Sequence, residues 1–503
     1  MPPDPPLVTP LEPWQTVWPA GLALLLLLWG AWGLRRELRP TRAVWAVLAL
    51  ALVVRVLWLP LGDHQFDGHE AEYLDLLLGQ RDLSRGGPLL VPAMQWTAWG
   101  LGQVAPWSGT LLVLALGGSL LAIGAWIGLL SRLSEPRVGL VAGCALALWG
   151  THAFWSSSAY NVMHPHALGA VSLWGLAVLI RGGPPRAAGA VAGGAAALAV
   201  AFRAELVLLG PLGLAWLVLY RPPRWRRWLP PVVAGAALGL AALGLMLYPG
   251  EVPGAGERGL SWAANRGLFD YFAPFSSETL LLVPLVGLGL GARRWPRLVL
   301  PLMVLVPLVH AVGATFDDYG FRHVLTALPA LAAGLGVLSL WRPAWLVLVA
   351  SAVALGLHTA DVADRYYAGE DDFAASLDPD LPEWSLDALD HCALVCEDGR
   401  VLPEARQRSH FNLLDPHEAE DLRRDSGCLF WLVGFQDHRW SSRAVRDRFL
   451  RIQHLYETES RAVVKDPDTD YVGWVVQVGA RRPGTVPPAW GVQPPADDAP
   501  ERK

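Results

Sequence analysis

Residues 43–61 read AVWAVLALALVVRVLWLPL, and residues 62–73 follow as GDHQFDGHEAEY. Crossing about 30 Å of hydrocarbon takes about 20 apolar residues in a helix, because a helix satisfies its own backbone where no water can. The first stretch meets that length, with Arg55 as its one charge. The second is dense in acids: Asp63, Asp67, Glu70, Glu72 and then Asp75 fall within 63–75. A span that opens at once into an acidic polar loop predicts a chain that crosses a membrane and presents chemistry at its surface.

Working outward, similar apolar runs lie near 15–34, 109–130, 138–155, 166–181, 187–202, 204–220, 229–248, 279–291, 298–314, 323–340 and 343–358. The fold class expected is mainly α, a polytopic membrane protein of about twelve transmembrane helices. Only Arg203 and Glu205 separate the pair covering 187–220. Arginines fall in alternate loops: Arg35, Arg36, Arg39 and Arg42, then Arg132 and Arg137, Arg181 and Arg186, Arg221 to Arg227, Arg293 to Arg297, and Arg342. The positive-inside rule makes these loops cytoplasmic, so the acidic loops and both termini face outward.

The whole chain, 503 residues, is 53% hydrophobic and 17% charged, against about 25% charged for a soluble domain. The charges are divided. Residues 1–360 carry a net charge of about +6 and residues 361–503 about −11. This excludes disorder, collagen, a disulfide miniprotein, a cytosolic enzyme, and nucleic-acid binding as a main task. The first apolar run lacks the basic n-region and small-residue cleavage site of a classical signal peptide. Lys465 and Lys503 are the only lysines, a bias that goes with a GC-rich, bacterial coding genome. The division expected is a membrane domain over 1–360, a soluble α/β extracytoplasmic domain over 361–482, and a Pro-rich disordered tail over 483–503.

The inner loops contain no P-loop and no dinucleotide fingerprint, so any chemistry belongs to the outer face. In the first outer loop Asp67, Glu70 and Tyr73 share a helical face, and a carboxylate at the membrane surface suits a general base acting on a hydroxyl. The same acids also suit a solvated, helix-capping loop. Arg203 and Glu205 inside an apolar stretch must pair with each other or face a polar cavity.

From these landmarks the chain resembles the GT-C superfamily of polytopic glycosyltransferases, in its protein O-mannosyltransferase and lipid A aminoarabinose transferase branches (family 39-type). The segment His69-Glu70-Ala71-Glu72-Tyr73 fits the Asp-Glu-x-x-Tyr frame of the first outer loop, with His69 where that family has its Asp. Residues 87–92, GPLLVP, resemble the segment that leads into an interfacial helix. His164, in Met163-His164-Pro165-His166, stands where many relatives have the arginine of an Arg-Pro-Tyr-like sequence. Arg203-Ala204-Glu205 resembles an Arg-Pro-Glu sequence at the outer end of a helical hairpin. Residues 316–329, FDDYGFRHVLTALP, resemble an Arg-Tyr…Pro signature.

The resemblance implies an inverting transferase that takes a polyprenyl-phosphate sugar to an extracytoplasmic glycan, lipid or protein acceptor, in a bacterial inner membrane. Asp67 or Glu70 would be the catalytic base. His69, Tyr73, His164, His166, Arg203, Glu205, Arg322 and His323 would line the substrate site. Arg322 would hold the leaving lipid phosphate in bidentate fashion. No cofactor is fixed by the resemblance; Asp317 and Asp318 are the candidate ligands for a divalent metal. The competing class is a non-enzymatic polytopic protein, such as a transporter, flippase or envelope assembly factor, although no internal repeat of the transporter type is visible.

In the tail, 392–396, 428–434 and 471–479 read as strands and 440–456 as a helix. Cys428 can pair with Cys392 or with Cys396, and sequence does not choose between them. His391, Cys392 and Cys396 lack the paired spacing of a zinc site.

Overall fold

A computed structural model describes residues 13–37, 40–58, 73–74, 76–79, 92–107, 109–156, 163–203, 206–207, 209–247, 278–304, 325, 328–357, 392–396, 409–410, 423–424, 427–434, 454–466 and 471–483. The chain divides into two compact units, a helical one within 1–363 and a mixed one that takes in 364–503.

The helical unit contains α1 (Pro13–Gly33), α2 (Arg42–Trp58), α3 (Pro92–Gly102), α4 (Gly109–Leu133), α5 (Pro136–Leu148) and α6 (Gly150–Trp155). It continues with α7 (Met163–Ile180), α8 (Pro185–Phe202), α9 (Leu209–Tyr220), α10 (Trp225–Leu247) and α11 (Glu278–Arg294). Residues 296–304 are helical (α12), and α13 (Leu328–Leu338) and α14 (Trp345–Leu357) follow. Among the described residues, four helices are long and apolar enough to cross a membrane: Gly109–Leu133, Met163–Ile180, Pro185–Phe202 and Trp225–Leu245. Shorter apolar helices, among them α5, α9, α13 and α14, run 10–17 residues. Leu25, Leu28, Trp32, Leu57, Leu240, Leu346 and Leu357 all stand exposed on their helices. Large apolar side chains exposed on so many helices fit hydrocarbon rather than water.

Helix α8, PRAAGAVAGGAAALAVAF, is the packing centre. With almost nothing beyond Cβ, it lets α1, α7 and α10 approach to backbone distance, as small residues do between helices in lipid. A Cβ on Gly30 of α1 would stand 2.7 Å from Val191 N, and one on Gly175 of α7 would stand 2.9 Å from Ala192 N. Ser172 of α7 donates to Ala192 O at 2.8 Å. Around α8 burial is therefore a matter of small volume rather than large side chains.

One end of the helical unit gathers the Arg-rich connections. Arg132, at the end of α4, pairs with Glu37 after α1 at 2.5 Å. Arg181 donates to the Arg132 carbonyl, and Arg294 pairs with Glu135. Exposed pairs of this sort contribute little stability. They do place the connections after α1, α4, α7 and α11 on one face.

The second unit carries a five-stranded sheet of β1 (Ala393–Cys396), β2 (Ser409–His410), β3 (Leu429–Gly434), β4 (Tyr456–Asp466) and β5 (Tyr471–Arg481). Its order is β2-β1-β3-β5-β4. Strand β1 runs parallel to β2 and β3, while β5 is antiparallel to both β3 and β4. Leu429, Trp431, Val475, Val476 and Val478 are buried. The expected strands at 392–396, 428–434 and 471–479 form. The expected helix does not reach Tyr456: residues 454–455 are helical, the chain turns to strand at Tyr456, and residues 440–453 lie outside the described ones. The disulfide joins Cys392 to Cys428. This answers the pairing question and removes Cys392 from any zinc set.

Candidate functional site

The run expected as a single span over 138–155 is two helices. Trp149 leaves the helical region with φ −75° and ψ 117°, and Gly150 starts a new turn. A helix that ends inside an apolar body leaves its last carbonyls without partners. Here Arg55, from the last turn of α2, supplies them. Its Nη1 donates to Ala147 O at 3.0 Å and to Ala51 O at 3.0 Å, and its Nη2 donates to Leu146 O at 3.4 Å. Nη2 also lies 2.7 Å from His152 Nδ1, and Nε donates to Ser119 Oγ at 2.6 Å. A guanidinium has five N–H donors, and all five are used. Arg55 is 1% exposed. A cation at a helix C-terminus is also favourable to the dipole, so this buried charge is structurally accounted for.

Next to this network, α4 and the start of α7 meet at Gly118. His164 is buried beside it, edge-to-face against Phe202 with ring centroids 4.8 Å apart. Neither ring nitrogen of His164 has a hydrogen-bond partner among the described residues. Its electrostatic neighbours are Arg203 and His166. Arg203 is itself buried and ends α8: its backbone leaves the helix with φ −150° and ψ 112°, while its N–H still bonds Ala199 O. The charged residue thus sits at a helix turn, not in mid-span, and Leu206 N closes that turn onto Arg203 O at 3.1 Å.

A small cavity, of the size of a water molecule rather than a sugar, is walled by His152, Met163, His166 and Ala170, by Ala122 and Trp126 of α4, by Leu206 and Leu209, and by Leu325 and Pro329. Residues expected to be far apart along the chain therefore share one wall. The cavity brings together the Met163–His166 segment, the turn after Arg203, and the end of the 316–329 segment.

Of the expected site residues, His166 lines the cavity, and His164 and Arg203 lie beside it. Tyr73, helical together with Leu74, is fully buried and does not line the cavity. Asp67, His69, Glu70, Glu205, Asp317, Asp318, Arg322 and His323 lie outside the described residues. Among the described residues no group of three or more His, Cys, Asp or Glu is arranged to hold a metal ion. Sequence reasoning missed His152 and Ser119 and gave Arg55 no role. The signal was present, since a lone arginine within a span demands a partner.

No family model matches the chain, and no curated protein does. Among solved structures it is similar to the crystal structure of ArnT from Cupriavidus metallidurans in the apo state. The two are 15% identical, with 86% of this chain and 97% of that chain covered, at a TM-score of 0.48.

Proposed function

We propose that the chain is a polytopic membrane glycosyltransferase of the GT-C type, with about twelve spans over 1–360 in a bacterial inner membrane. It moves a sugar from a polyprenyl-phosphate donor to an extracytoplasmic acceptor, with residues 361–482 as an outward α/β domain and 483–503 as a tail. The carboxylate of Asp67 or Glu70 takes the proton of the acceptor hydroxyl. The acceptor oxygen then bonds the anomeric carbon from the face opposite the phosphate, and the carbon–oxygen bond to the lipid phosphate breaks. That attack inverts the anomeric centre. The negative charge left on the phosphate needs preorganised cations, a role assigned to Arg322 and Arg203.

The observation that supports this reading is the shared cavity. Three of the five sequence segments that carry the resemblance run into its wall or end beside it, through Met163 and His166, through Leu206 and Leu209 just after Arg203-Ala204-Glu205, and through Leu325 and Pro329. The reading is tested by transfer from a labelled polyprenyl-phosphate sugar in membranes that contain the wild type, Asp67→Asn, Glu70→Gln or the double variant. Loss of transfer in at least one single variant is expected. Unchanged transfer in all three variants removes the base assignment, and absence of transfer by the wild type with every donor tried favours the non-enzymatic class.

A further inference from the structure

We infer that Arg55 is a positioning residue that holds His152 as an Nε2–H hydrogen-bond donor to the cavity, where it meets an oxygen of the lipid phosphate. The inference rests on the donor class proposed above for the choice of ligand, and on geometry alone for the positioning.

An arginine is a donor with no acceptor. With Arg55 Nη2 at 2.7 Å from His152 Nδ1, Nδ1 must be the accepting, unprotonated nitrogen. A proton there would set two donors against each other. The remaining ring proton is then on Nε2, in the manner by which a hydrogen bond at one imidazole nitrogen fixes the state of the other. Ser119 holds the guanidinium from the far side through Nε at 2.6 Å and also lies 3.5 Å from His152 Nδ1. The carbonyls of Leu146 and Ala147 fix its plane. His152 is buried, and its ring walls the cavity together with His166. Nε2–H is thus the polar hydrogen this ring can offer to a ligand, and the break at Trp149 turns His152 onto a new helical segment. One buried cation therefore caps a broken helix and sets the tautomer of a cavity-lining histidine.

The test uses the full chain in lipid nanodiscs with ¹⁵N-labelled histidine, the His152 signals being assigned by their loss in His152→Gln. The expected spectrum shows a bare Nδ1 and a protonated Nε2, and addition of a short-chain polyprenyl phosphate shifts the Nε2 signal. His152→Phe, which removes the donor, weakens binding of that probe by about tenfold or more, the range for a hydrogen bond to a charged group. His152→Gln, which keeps a donor near the Nε2 position, retains most of it. Arg55→Lys keeps the charge but not the fork and yields a mixture of tautomers, and Ser119→Ala does so more weakly in a protein that folds normally. A protonated Nδ1 in the wild type overturns the positioning by Arg55. Equal probe binding by wild type and His152→Phe overturns the donor role. If the wild type shows the expected tautomer yet binds no polyprenyl phosphate, the lipid-phosphate reading fails while the positioning stands.

Discussion

The position that a Cβ on Gly118 would take lies 2.8 Å from the Cα of His164 and 2.9 Å from its backbone nitrogen. Glycine at 118 is therefore what allows the start of α7 to lie against α4 and His164 to reach its buried place. Since the obstacle is backbone and not a flexible side chain, it cannot swing aside. Gly118→Leu is expected to cost about 1–3 kcal/mol and to lower the thermal unfolding temperature in detergent. An unfolding temperature equal to that of the wild type would show that the contact is not tight.

Arg55→Met removes the guanidinium while keeping much of the volume. The carbonyls of Leu146 and Ala147 and the Ser119 hydroxyl lose their donor, and each buried polar group left without one costs about 1–3 kcal/mol. A combined loss of about 3 kcal/mol or more is expected. Thermal melting of the purified protein checks this, with Ser119→Ala, which leaves only the Arg55 Nε–H without its acceptor, expected to lose about 1–3 kcal/mol.

The Cys392–Cys428 bridge closes a loop with a sequence separation of 36. Loop-closure entropy for that length stabilises by about 3–4 kcal/mol. Cys392→Ser, or a reducing agent applied to the wild type, should make the C-terminal unit more sensitive to limited proteolysis. Cys396→Ser should leave the proteolysis pattern unchanged. Non-reducing peptide mapping checks the pairing directly.

Arg203 ends α8 beside His164. Arg203→Gln is expected to reduce transfer from a polyprenyl-phosphate sugar by about tenfold or more, as for loss of a charge-assisted bond to phosphate. The yield of folded protein should remain near that of the wild type. Full activity in Arg203→Gln would restrict this residue to capping the turn.

Much of the helical unit was legible because a helix within hydrocarbon must be long and apolar, and α4, α7, α8 and α10 meet that description. The break at Trp149 was not, because a hydropathy average over 138–155 is insensitive to one residue leaving the helical region. The Arg55 site was only half legible. Its need for partners could be read, but Ser119 and the carbonyls of Leu146 and Ala147 lie 64 to 92 positions away, and backbone carbonyls leave no mark on sequence. Strand β4 was missed for a different reason. Glu457, Glu459, Arg461, Lys465 and Asp466 give it the look of a solvated segment. It is an edge strand, where charges and the register shifts at Tyr456/Thr458 and Ser460/Ala462 protect an open ladder from pairing with another chain. The base and the phosphate-binding arginine expected at Asp67 or Glu70 and at Arg322 rest on sequence alone.

Helix α8 has almost no side chains to lose, so truncating its residues to alanine would change little. Enlarging them is another matter, because Gly189, Gly193 and Gly194 each face a neighbouring backbone within 2.7 Å of where a Cβ would sit. Truncating its few larger residues to alanine and placing alanine at these three glycines should thus give opposite pictures, mild in the first and intolerant in the second. The dullest-looking stretch of the sequence is the one where a single added methyl group travels furthest.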